Sequence, residues 1–237
     1  MKFFFLSMAS LLLVSFANAQ TVDEIINKHV DALGGKDKLS QVKSISYDNT
    51  SEIMGNESSS SLIVLNGKGY KNVISFNGQQ IVQAETDKGA WSINPFAGSP
   101  DAQAAPADQY KFAEDQIYLP DPLFNYADHG ASVELLGQEK VDSVNAYKIK
   151  YTNKDSGVCT YYINPSTYFI IQAVRQGNVQ GQQTTFNITY SDYKKTDFGL
   201  YLPFSINIDM GQFALKTTVN KVDINKDIDP SVFEMPK

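Results

Sequence analysis

Few side chains in this sequence are grouped in the way that covalent chemistry requires. Its two histidines are His29, in the middle of a helical stretch, and His129, just before Gly130. A hydrolytic triad needs a nucleophile, a base and an orienting acid gathered in space. Neither histidine stands in a strand–turn–helix setting of the G-x-S-x-G kind, and both read as structural, partly exposed residues. An enzyme acting on a lipid or glycan would have to draw on Asp121, Asp128 and His129, but nothing in the sequence joins them into a catalytic set. The single Cys159, flanked by Val158 and Thr160, cannot form an internal disulfide and reads as a small apolar filler of a strand.

The stretch DINKDIDPSVFE places Asp223, Asn225, Asp227, Asp229 and Glu234 at positions 1, 3, 5, 7 and 12 of a calcium-loop template. Ile228 stands where the sharp turn needs glycine, and Pro230 follows, so these acids read as a solvated turn before a closing Phe233. No metal and no cofactor are expected, because neither a glycine-rich phosphate loop nor a Cys/His ligand spacing is present. Three tripeptides starting at Asn49, Asn56 and Asn187 fit the glycosylation sequon, a short pattern that carries weight only in a host able to use it.

The aromatic residues are the remaining candidates: 14 Phe, 13 Tyr and one Trp. Most suit strands, where aromatic side chains pack well on a pleated surface. Trp91, Phe96, Phe112, Leu123 and Phe124 are different, because they cluster around a break in the strand pattern, where a curved sheet would otherwise be open. They are the candidate contacts of an apolar ligand.

The elements that must position them are legible. TVDEIINKHVDALGG begins with a Thr21/Glu24 capping box. It carries Val22, Ile25, Ile26, Val30 and Leu33 at three-and-four spacing and stops at Gly34-Gly35. From Ser44 the period becomes two. Turns at Asn66-Gly67, Asn77-Gly78 and Asp87-Lys88-Gly89 predict an antiparallel meander. A second meander starts near Ala131; within it AYKIKYT puts Tyr147, Ile149 and Tyr151 on one face and Lys148 and Lys150 on the other. The pattern gives about ten or eleven strands, a sheet that must curl or close to protect its edges and its apolar face. Residues 95–130 interrupt it with a soft loop, PFAGSPDAQAAP, an amphipathic segment, and an Asp121-Pro122 helix start ended by Gly130. The expected class is therefore α+β, mainly β, with an N-terminal helix and a helical lid insertion.

Residues 1–19 read as a cleaved secretory signal: Lys2, an apolar run short for a membrane span, and Ala17-Asn18-Ala19 before Gln20. Residues 20–237 then form one domain. Removing the signal takes one lysine and moves the formal charge from −6 to −7. That acidic balance, with no Lys/Arg cluster, argues against nucleic acid and against adhesion to anionic lipid headgroups.

The ordered series ALGGKDKLSQVKSI, KGAWSINPFAG, TYYINPSTYFI, YSDYKKTDFGLYLPFSI and IDPSVFEMP, over most of Val22–Pro236, resembles the bacterial LolA/LolB-like lipoprotein-carrier superfamily. The resemblance implies an unclosed antiparallel β-barrel whose concave apolar face is covered by helices and a loop and holds acyl chains. It also implies a periplasmic location. One departure matters. The periplasmic carrier tethers its lid through an early-strand arginine, whereas SISYDNTSEIMGNESSSS has none, and Arg175, the sole arginine, lies far along the chain. The cup and its cargo carry over, but the latch does not. The expected function is a monomeric, non-catalytic carrier or chaperone that binds the acyl chain of a lipid or lipoprotein. Its rival is an envelope interaction or sensor module on the same fold with a filled interior and a protein partner.

Overall fold

The computed structural model describes residues 20–53, 55–105, 114–179, 182–211 and 214–236. The signal segment and Phe112 lie outside the described residues. Helix α1 (Val22–Leu33) starts as the capping box predicts: the Glu24 amide donates to Thr21 Oγ1 at 3.2 Å and the Thr21 amide donates to Glu24 Oε2 at 3.0 Å. Its stripe of Ile25, Ile26, Val30 and Leu33 is buried. Gly34, at φ 137°, ends the helix against Leu200, and the short helix α2 (Lys36–Leu39) follows.

The remaining elements form a single antiparallel sheet. Its first half is β1 (Ser44–Ile53), β2 (Asn56–Leu65), β3 (Gly69–Phe76), β4 (Gln79–Thr86), β5 (Gly89–Asn94) and β6 (Ser99–Ala104). The second is β7 (Ser132–Val141), β8 (Val144–Thr152), β9 (Val158–Ile163), β10 (Ile170–Val179), β11 (Gln182–Lys195), β12 (Tyr201–Asp209) and β13 (Ala214–Ile224). Each half is a meander, and pairing of β1 with β13 joins them into 13 strands with β6 and β7 as the two edges. These edges do not pair, so the barrel is unclosed. The chain between β6 and β7 must therefore cross from one edge of the sheet to the other.

The strand count exceeds the ten or eleven of the alternation pattern. One reason is β6, which falls in the stretch expected to be a loop. Asn94 Oδ1 accepts from the Ala97 amide at 3.2 Å, Gly98 takes φ 79°, and the chain turns back so that Ser99–Ala104 pairs with β5. Backbone pairing builds this strand without an apolar stripe. The helix expected from Asp121 to Gly130 is only a 3-10 turn at Tyr126–His129, and among the described residues of 95–130 the other helical pieces are 3-10 turns at Pro95–Ala97 and Glu114–Ile117. Among the hairpin turns, Asn77 and Gly78 both take positive φ, as the Asn-Gly dipeptide predicts.

Register separates the two faces of the sheet. Cross-strand neighbours share a face, so Tyr47 and Leu62, Val64 and Tyr70, Ile149 and Tyr161, Ala173 and Ile188 lie on the same, inner side. Helix α1 and residues Leu123–Ala131 pack there with Ile45, Ile149, Ile163 and Leu200 in the main core. Lys148 and Lys150 face outward and pair with Glu139 at 2.6 Å and Glu134 at 3.9 Å.

Candidate functional site

The described side chains do not fill the inner face. A cavity of about 330 Å³ remains between the concave sheet and residues Asp115–Pro122, walled by Tyr47, Leu62, Tyr70, Tyr161, Tyr190 and Ile208. Each wall residue is positioned by strand alternation. Its partner strand supplies the next aromatic or aliphatic group, and outward residues alternate with these.

The segment over the cavity is held from three sides. On the first half of the sheet, the Gly67 amide donates to the Ile117 carbonyl at 2.8 Å, and the Leu119 amide donates to Asn66 Oδ1 at 2.9 Å. On the second half, Asp115 accepts from the Tyr151 hydroxyl at 3.0 Å and from Asn153 Nδ2 at 3.1 Å. Towards helix α1, Tyr126 donates to Asp23 Oδ1 at 2.9 Å. Asp121 Oδ2 lies 3.3 Å from His29 Nε2, within reach of its charge though without a well-aligned hydrogen bond.

His29 is 1 % exposed, which corrects the expectation of a partly exposed residue. Its Nδ1 is 2.6 Å from the Tyr168 carbonyl, a spacing that requires the proton on Nδ1. A neutral ring would then turn the Nε2 lone pair toward a carboxylate. Burial pulls its pKa down, but the Asp121 charge, the contact with Asp121 and the Tyr168 carbonyl together raise it. His29 thus joins helix α1, the covering segment and the β9–β10 turn. It connects the cover to the helix in a chain whose early strand lacks an arginine for that purpose.

The cavity contains charge as well as apolar wall. Arg175 lies on the inner side of β10, where register sets it beside Cys159 and Phe186, and its guanidinium carbon is 5.5 Å from the Phe186 ring centroid. Behind the lining, Glu85 is 7 % exposed and accepts from the cavity residue Gln116 through Nε2 at 3.3 and 3.4 Å. Burial pushes its pKa up to about 8, against the opposing pull of Arg175. Burial likewise raises Asp115, against its hydrogen bonds from Tyr151 and Asn153. Cys159 is pushed up to about 11 by burial, so it is a thiol at neutral pH rather than a nucleophilic thiolate. The His129 ring stacks on Tyr118 at 3.8 Å, and burial lowers its pKa.

The residues singled out in the sequence do not gather at one place. Leu123 and Phe124 are buried in the main core beneath the cover and do not line the cavity. Phe96 is 51 % exposed and meets Phe76 edge-on at 5.7 Å. Trp91 stands mid-strand rather than at the end of β5. By register it shares a face with Ala84 and Lys71, the side opposite the cavity. There it is 6 % exposed, packs with Val82 and Ala84, and donates Nε1–H to the Phe233 carbonyl at 2.7 Å. The C-terminal 3-10 turn (Pro230–Phe233), capped by Asp229, makes that contact and lays the Phe233 ring over Gly69. The acids of the calcium-like stretch are aimed at different partners: Asp229 at the Ser231 amide, and Asp223 at Lys221 and Lys226.

The polar cavity residues Arg175 and Asp115, and Glu85 bonded to the cavity residue Gln116, were not identified from sequence. A signal for Arg175 was present: in IIQAVRQG it shares parity with Ala173, an inward position, so it is a charge where alternation calls for an apolar residue.

No protein-family model matches the chain, and no curated protein is similar to it. Solved structures are similar over nearly the whole length. A LolA superfamily protein from Nitrosomonas europaea superposes with a TM-score of 0.61 at 13 % identity, covering 91 % of this chain and 98 % of that one. A DUF1329 family protein from Desulfovibrio piger gives 0.58 at 15 %, covering 90 % and 97 %. An outer membrane lipoprotein-sorting protein domain from Vibrio parahaemolyticus gives 0.57 at 12 %, covering 89 % and 94 %. An unclosed, curved antiparallel sheet with a helix and a covering segment on its concave side, matched over about nine-tenths of the chain, is the fold this chain shares with the LolA superfamily protein and the other two structures.

Proposed function

We propose that the protein is an exported, periplasmic, non-catalytic carrier or chaperone that takes up the acyl chain of a lipid or lipoprotein in its cup and acts as a monomer. The observation that carries this reading is the open space of about 330 Å³ between the aromatic and aliphatic concave wall and the covering segment. Burying a methylene gains about 0.8 kcal/mol. Burying about ten methylenes of a chain would therefore gain a gross ~8 kcal/mol before the costs of association. The resulting affinity is modest, which suits cargo that must be released. The cover is attached by side-chain and backbone hydrogen bonds to both sheet halves, contacts that break and re-form more readily than a packed core. Leu123 and Phe124 act in this reading as anchors of the cover rather than as walls. The structural likeness to a lipoprotein-sorting domain from Vibrio parahaemolyticus supports the same class of cargo.

The test is native mass spectrometry of residues 20–237, purified from the periplasm without detergent. A mass excess that dissociates as a fatty acid, phospholipid or lipopeptide is the expected result. A bare protein that remains bare after incubation with acylated ligands overturns the reading and turns the search to envelope protein partners.

A further inference from the structure

We propose that Arg175, with the phenols of Tyr47, Tyr70 and Tyr190, seats the acidic head of a single-chain amphiphile, a carboxylate or phosphate, inside the cavity; this rests on the acyl-carrier reading above. A space of about 330 Å³ is at the small end of the range for ligand pockets, a size suited to a single-chain amphiphile.

The donors of the cavity are unevenly distributed. Among the described residues that line the cavity, Arg175 is the only cation. A guanidinium presents a planar fork of donors suited to carboxylate or phosphate oxygens. Tyr47, Tyr70 and Tyr190 line the same space, and their hydroxyls make no hydrogen bond to a described residue. All four residues line the one cavity, and Arg175 is near enough to Tyr70 and Tyr190 to oppose the effect of burial on both. Burial raises the pKa of all three phenols far above neutrality, which keeps them donors.

The acids nearby do not favour a cationic head instead. Both oxygens of Asp115 already accept hydrogen bonds, from Tyr151 and Asn153. Glu85 is engaged by Gln116 and, with burial holding its pKa at about 8, is mostly uncharged at pH 7. Arg175 and the three phenols are thus the donors that the cavity wall sets toward a ligand head.

The experiment compares dodecanoic acid, dodecyl phosphate and methyl dodecanoate on delipidated protein (residues 20–237), by calorimetric titration at pH 7. The expected result is at least tenfold tighter binding of an acidic ligand than of the ester. Arg175→Met should bring that ratio to about one by weakening the acidic ligands more than the ester, and Arg175→Lys should retain part of it. Which acid binds tighter separates a carboxylate source from a phosphate source. If Arg175→Met fails to fold, as judged by circular dichroism, Tyr70→Phe and Tyr190→Phe replace it, and each should lower the ratio severalfold. Equal binding of acid and ester by the unaltered protein, or an unchanged ratio in the variants, overturns the inference and leaves the acyl-carrier reading standing. No binding of any of the three ligands overturns both.

Discussion

Replacing Glu85 with glutamine should make the protein more stable at neutral and alkaline pH, and the gain should vanish near pH 5. Glu85 is 7 % exposed, and burial lifts its pKa from the ordinary 4.5 to about 8 despite the opposing charge of Arg175. In the unfolded chain the carboxyl ionises near pH 4.5, while in the folded protein it holds its proton until about pH 8. Between these values the folded state binds more protons, so stability falls as pH rises, at up to about 1.4 kcal/mol per pH unit. Over the roughly 3.5 pH units between 4.5 and about 8 the loss reaches at most about 5 kcal/mol. Glutamine has nearly the same volume, does not ionise, and can still accept from Gln116 Nε2 through its carbonyl oxygen. Urea unfolding at pH 5, 6, 7 and 8 gives the comparison directly. The two proteins should agree within about 1 kcal/mol at pH 5 and diverge by several at pH 8, with the variant on the flatter line. Parallel lines, with the variant weaker by the same amount at every pH, would refute the reasoning, because Glu85 would then be charged in the fold and stabilised by Arg175.

Three other perturbations test other parts of the molecule. A Cβ at Gly69 would lie 2.4 Å from Phe233 Cγ. Its backbone needs no positive φ, so only the ring demands glycine there, and Gly69→Ala should lower stability by about 1–3 kcal/mol, read as a drop in melting temperature. Trp91→Phe removes the donor to the Phe233 carbonyl on the outer face. It should cost about 1–3 kcal/mol of stability while acyl-ligand affinity stays unchanged, and a loss of affinity without a loss of stability would return Trp91 to the binding site. His29→Asn removes a buried partner of Asp121. The raised pKa of His29 makes its contribution fully present below pH 6.5 and lost as pH rises through the folded value. The variant's deficit, about 3 kcal/mol at pH 5.5, should therefore shrink toward pH 9 in unfolding titrations.

The sequence by itself determined the elements whose signals are local. The Thr21/Glu24 box and the Gly34 stop bound helix α1 because caps act within one turn of the chain. Asn77-Gly78 makes a hairpin because those two residues tolerate positive φ. AYKIKYT alternates because a half-buried strand has period two, and Tyr151 and Ile149 are buried as that period requires. The tertiary structure decided what depends on contacts distant in sequence. Trp91 faces outward because the C-terminal turn, 142 residues later, brings Phe233 to it; alternation fixes which residues share a face but not which face becomes the cup. His29 is buried because Asp121 and Tyr168 close over it from two other segments. β6 exists because a neighbouring edge strand supplies backbone partners that SPDAQA could not recruit through apolar burial. The cavity is likewise a tertiary property: a sheet that curls without closing leaves a concave wall, and the chain between its two edges must pass over it.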